Sequence, residues 1–124
     1  MPFNREGGEN LQELSVSFVE GKIRLRANEI IYIESYRHKI IFHTEERSYS
    51  IYKPLGEIEE MLAGMGFMRI HKSFIVNMDY VRSVKNYILT LYNGMNFIVP
   101  RGRFKEVKRS WEVYRPGELA AEGA

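Results

Sequence analysis

Apolar and polar residues alternate with a period of two along most of this chain. Residues 14–19 read Leu-Ser-Val-Ser-Phe-Val, and after a turn at Glu20, Gly21 and Lys22 the alternation returns in residues 22–26. Two such runs split by a glycine-bearing turn predict a hairpin, with Arg24 and Arg26 on the face opposite Ile23 and Leu25. Residues 30–35 (Ile-Ile-Tyr-Ile-Glu-Ser) are more continuously apolar and predict a central strand. Residues 39–44 and 47–52 predict two more strands around a turn at Glu45 and Glu46. Residues 67–71 alternate up to His71, and a short apolar run, Phe74, Ile75 and Val76, is stopped by Asn77 and Asp79. Strands are predicted over 81–85, 87–92 and 95–99, the last two joined by the hairpin signal Asn93 and Gly94.

The period changes to that of a helix twice. After Pro54, which suits a first helical turn, Leu55, Ile58, Met61 and Leu62 fall on one face, and Gly64 and Gly66 end the element. Phe104, Val107, Lys108 and Trp111 give a second helical stripe over 104–114. The sum is a mainly β domain of antiparallel sheets with one or two short α-helices, spanning residues 14–114. Residues 1–13, rich in glycine and charge at their start, are expected to be a disordered N-terminal segment, and 115–124 a flexible tail.

Composition narrows the function classes. Hydrophobic residues make up 44% of 124 residues, enough for one core without staples. There is no cysteine, so disulfides and thiolate metal sites are excluded. No apolar run approaches the ~20 residues of a membrane span. The opening residues lack the apolar segment of a secretory leader, and a cytoplasmic location is expected. No metal site is expected: His38 and His43 fall on one predicted strand and point to opposite faces. No nucleophile elbow, phosphate-binding glycine loop or paired-carboxylate site is present, so no catalytic residue and no cofactor is assigned.

Net charge is only +2, but its distribution is uneven. Glu57, Glu59 and Glu60 sit on the solvated faces of the first helix. Basic residues gather instead at three strand ends or loops: Arg37, His38 and Lys39 beside Tyr36; Arg69, His71, Lys72 and Ser73; and Arg101 with Arg103. Any one cluster alone is an ordinary solvated loop. Three on one rim would make a comb of donors, with Lys and Arg attracting phosphates and Arg able to fork onto a guanine edge.

The residues that carry a family resemblance are those around the second cluster. Phe67, Arg69, His71, Ser73, Val76 and Asn77 spell Phe-x-Arg-x-His-x-Ser-x-x-Val-Asn. Ile31, Tyr32, Ile33, Glu34 and Ser35 precede it, the helix over 55–62 leads into it, and residues 89–94 with Val99, Pro100 and Arg101 follow. Over roughly residues 14–109 the sequence resembles the LytTR DNA-binding domain of bacterial transcriptional regulators. The resemblance implies antiparallel β-sheets in an elongated array. It implies loops that enter successive major grooves of double-stranded DNA, commonly with bending of the duplex, which costs several kcal/mol on elastic estimates, on the order of 1–6. It places base contacts at His38, Lys72 and Arg101. It makes Arg37, Lys39, Arg69, Ser73 and Arg103 phosphate contacts or loop supports, and Asn77 a structural turn residue. Binding to tandem sites, with self-association on DNA, is implied too. A receiver domain often precedes such a domain, and 124 residues leave no room for one. The chain is expected to be a stand-alone regulator or the output domain of a longer protein.

Departures from the family pattern bear on the target sequence. Lys72 stands where Arg or Asn is common, replacing a forked or amide donor with a point charge. Pro100 replaces a common Ser and removes a backbone donor beside Arg101. Gly102 and Arg103 replace a more usual Arg followed by an aromatic residue. Two other readings stay open on the residues themselves: an RNA-binding module or metal-independent nuclease using His38, His71 and Lys72, and a protein-interaction β domain.

Overall fold

The computed structural model describes residues 10–114. Every strand pairing in it is antiparallel. β1 (Glu13–Phe18) and β2 (Gly21–Arg26) form the expected hairpin, with Leu14, Val16 and Phe18 buried and the intervening residues exposed. A five-stranded sheet holds β3 (Ile30–Tyr36), β4 (Lys39–Thr44), β5 (Ser48–Ile51), β6 (Phe67–His71) and β7 (Phe74–Asn77), in the order β5-β4-β3-β7-β6. The run expected to be central, β3, is the central strand. β8 (Val81–Lys85), β9 (Ile88–Leu91) and β10 (Asn96–Ile98) make a third sheet, with β9 in the middle. Two helices complete the described chain, α1 (Leu55–Met61) and α2 (Arg101–Tyr114).

The five-stranded sheet is apolar on both faces. On one, Ile33, Ile40, Phe42, Ile51 and Ile75 pack with the β1–β2 hairpin and with Leu55, Ile58 and Leu62 of the α1 region. On the other, Ile70 and Val76 pack with Val84, Leu89, Leu91 and Phe97 of the third sheet and with Val107 and Trp111 of α2. Phe42 and Leu89 are fully buried, one in each core. Burying an aromatic or a leucine contributes about 1.5–3 kcal/mol, so each layer holds the central sheet rigidly from its own side.

Asn77 fastens the end of the sheet remote from the β3–β4 and β6–β7 turns. It is 1% exposed. Its Nδ2 donates to the carbonyls of Ile30 (2.8 Å) and Ala27 (3.1 Å), and its Oδ1 accepts from Asp79 N–H (3.0 Å). The structural role expected of this residue is the one it has.

Several element boundaries differ from the sequence reading. α2 begins at Arg101 rather than Phe104, because Pro100 needs no helical N–H and its carbonyl accepts from Arg103 N–H at 2.9 Å. The Arg101 and Arg103 cluster is therefore the first turn of a helix, not a loop. Tyr87 leaves its expected strand and sits in the β8–β9 turn, at φ +64° after Asn86 at +55°. His38 lies in the β3–β4 turn at φ +69° and not on the strand that carries His43. Tyr52 lies beyond the end of β5. At the N-terminal side, Asn10 and Gln12 already accept hydrogen bonds from Asn28 and Ala27 N–H, and β1 opens at Glu13. The segments 1–9 and 115–124 lie outside the described residues.

Candidate nucleic-acid interface

Strand register decides which turns share an end of the sheet. β3 runs up to Tyr36, which pairs with Lys39 across a two-residue turn of Arg37 and His38. β7 starts at Phe74 opposite Glu34, and Ser35 N–H donates to the Ser73 carbonyl at 2.8 Å. The β3–β4 and β6–β7 turns are thus neighbours on one rim, about two strand spacings (roughly 10 Å) from centre to centre. Of the third cluster, Arg103 on α2 comes beside the second. Arg69 and Arg103 line one groove with Glu59, Phe67 and Met68.

Both residues of the β3–β4 turn are in the left-handed region, Arg37 at φ +52° and His38 at +69°. That is the geometry of a tight hairpin turn, normally supplied by Asn and Gly. Here it aims two long polar side chains outward. Both residues are exposed, and the Arg37 guanidinium lies 5.5 Å from the Tyr36 ring centroid.

The β6–β7 turn is braced from inside. Arg69 Nη2 donates to the Lys72 carbonyl (2.7 Å), Nε to the His71 carbonyl (3.3 Å) and Nη1 to Glu59 Oε1 on α1 (3.2 Å). His71 Nδ1 accepts from Ser73 N–H at 3.0 Å. These bonds hold the turn while Lys72 at its tip is exposed. Burial lowers the His71 pKa first, and the positive charges of Lys72, Arg103 and Arg69 add to the shift. The ring is thus kept neutral, as its acceptor role requires, and the charge of Arg103 reaches the turn.

Arg101 is exposed, with its Cζ 5.1 Å from the Tyr87 ring centroid. Tyr87 in turn packs on Phe104, centroids 4.6 Å apart. The alternation of residues 87–92 places Tyr87 in a strand and points to no role for it. Its signal was faint, since a tyrosine at positive φ has no recognisable turn motif.

Ion pairs within 4.0 Å among the described residues involve Arg24, Arg26, His43, Lys53 and Arg69. None of Arg37, Lys39, Lys72, Arg101 or Arg103 has such a partner there. These basic side chains are therefore free of ion pairs within 4.0 Å among the described residues, although Glu59 and Glu106 line the groove beside Arg103 and Glu20 acts on Lys39 at longer range, while Arg69 is turned inward. Ser73 is half-buried, with both backbone groups already bonded.

Comparison with known proteins points the same way. A family profile described as the LytTr DNA-binding domain matches residues 20–112. The chain is 29% identical over 111 residues to the sensory transduction protein LytT of Bacillus subtilis, a match covering 86% of this chain and 45% of that protein. It is 30% identical over 104 residues to the transcriptional regulatory protein LytR of Staphylococcus aureus, covering 80% and 42%. The chain spans less than half the length of the curated relatives it matches. Among solved structures, a LytTr DNA-binding domain from Bacillus cereus superposes with a TM-score of 0.65 at 23% identity, over 84% of this chain and 97% of that one. At that identity the likeness speaks to the fold. No helix among the described residues is long and apolar enough to cross a membrane.

Proposed function

The chain belongs to the LytTr DNA-binding domain family, and on that premise we propose that it binds double-stranded DNA sequence-specifically and acts in transcriptional regulation. The observation that carries this reading is the single rim. Turns far apart along the chain, at Arg37 and His38 and at Lys72, meet through the β3–β7 pairing, and Arg103 in the first turn of α2 lines a groove with Arg69 beside them.

His38, Lys72 and Arg101 are the base-reading residues. Each is exposed and stands on a rigidly held element. Arg37, Lys39 and Arg103 meet phosphates, which fix register and supply salt-sensitive affinity, and the hydroxyl of Ser73 is a further phosphate donor. Arg69 acts as loop support, because its guanidinium already faces two turn carbonyls and Glu59. Loops in successive major grooves, bending of the duplex and side-by-side binding to tandem sites complete the proposal. The nuclease reading is weaker, since His71, its natural acid or base, gives one ring nitrogen to Ser73 N–H.

The test is selection of duplexes from a random pool with the purified protein, followed by footprinting. The expected result is a short recurring sequence protected in two adjacent major grooves. Enrichment of no sequence, with binding equal for all duplexes, would refute the reading.

A further inference from the structure

A fourth segment reaches the same rim and has no role in the reading above. β5 runs toward that end of the sheet and finishes at Ile51 opposite Ile40, so the next residues, Tyr52 and Lys53, stand level with the β3–β4 turn. Tyr52, His38, Ser35, Lys53, Pro54 and Leu55 line one hollow. The segment is short and held at both ends: Ile51 is 9% and Leu55 6% exposed, and Pro54 fixes the chain at φ −66°. Tyr52, by contrast, is 65% exposed, and among the described residues its hydroxyl has no hydrogen-bond partner. Lys53 is 40% exposed and lies 3.4 Å from Glu57 Oε2, an i,i+4 surface pair weak enough for a phosphate to displace.

An exposed phenol and an ammonium on a rigid three-residue bridge, side by side with His38, suit a phosphodiester rather than a base edge. The phenol donates one hydrogen bond and the ammonium supplies charge, the two things a phosphate takes, and they stand beside the proposed base-reading residue His38 rather than at the tip of a turn. We infer that Tyr52 and Lys53 form a further backbone contact, gripping the strand that borders the groove His38 enters. This rests on the DNA-binding reading and extends the rim by one strand toward β5.

The test uses the whole chain and two labelled duplexes of about three helical turns, one with the selected site and one of random sequence, titrated by fluorescence anisotropy across a salt series. Lys53→Gln is expected to weaken both duplexes alike, by about three- to tenfold, and to flatten the salt slope by about one unit. Tyr52→Phe weakens both with the slope unchanged. Glu57→Gln, which frees Lys53, tightens both. If the double variant Tyr52→Phe, Lys53→Gln keeps wild-type affinity and slope while wild type binds, this contact is overturned and the DNA-binding reading stands. A loss confined to the selected site also overturns it, because the segment then acts through His38. Absence of salt-dependent duplex binding by wild type overturns both.

Discussion

Arg69 separates two physical roles that a binding assay on one variant would confuse. A phosphate contact contributes charge. A loop support contributes geometry to Lys72. The structure gives Arg69 Nη2 a 2.7 Å bond to the Lys72 carbonyl and Nη1 a 3.2 Å bond to Glu59. Removing them by Arg69→Ala is expected to cost only about 1–2 kcal/mol of stability: the turn carbonyls become available to water, and the Glu59 partner is about half exposed, which discounts that ion pair. The domain remains folded, and the effect appears in recognition.

Discrimination at the base pair facing Lys72 falls by about 1–3 kcal/mol, because the turn that holds it loosens. The salt slope stays at its wild-type value, whereas loss of a true phosphate contact would lower it by about 0.9. Arg69→Lys sharpens the distinction. It keeps the charge, but a single ammonium cannot span two carbonyls and Glu59 as the fork does. As a support, Arg69→Lys behaves like Arg69→Ala; as a phosphate contact, it is largely rescued. Anisotropy titrations of matched and single-mismatch duplexes at several salt concentrations read both quantities. A rescued Lys variant together with a flattened Ala slope would refute the loop-support reasoning.

Three other outcomes follow. Asn77→Ala removes the amide that bonds the carbonyls of Ala27 and Ile30 and should destabilise the domain by about 2–4 kcal/mol, a melting-temperature drop of about 10–20 °C by circular dichroism; a drop of a degree or two would rule out the role given to it. Burial and neighbouring charge hold the His71 pKa down, so the unfolded chain takes up the proton first as pH falls. Stability is then fully present above the ordinary histidine value of about 6.5 and declines as pH falls from there through the lower folded value, and urea midpoints of wild type and His71→Gln measured between pH 7.5 and 5 should converge on acidification. Arg101→Ala is expected to weaken specific binding by about 1–3 kcal/mol, while Lys39→Ala weakens all duplexes alike with a salt slope lower by about one; an unchanged footprint in Arg101→Ala removes that residue from the reading set.

The period-two alternation revealed nearly every strand, because each has one face in a core, as in Leu14, Val16 and Phe18 of β1. The α1 stripe and its glycine ending were equally plain. Convergence of the rim was not readable. It depends on β3 pairing with β7, segments some forty positions apart, as in Ile33 opposite Ile75, and no local pattern encodes that choice. The start of α2 is not legible because Gly102 masks a helix that Pro100 initiates. Tyr52 reads as the end of a strand because the alternation continues past the point where pairing stops. The inward turn of Arg69 depends on Glu59, ten positions earlier on another element.

The β3–β4 turn carries a wider consequence. Arg37 and His38 occupy backbone conformations that glycine would adopt without strain. Replacing them with Asn and Gly should make the hairpin sturdier and remove both the guanidinium and the imidazole that the proposal sets against DNA. If His38 reads a base as proposed, heat tolerance and target choice are opposed at one pair of positions. A laboratory selection for thermal endurance alone would then favour a tighter turn at the expense of one of the three proposed base contacts.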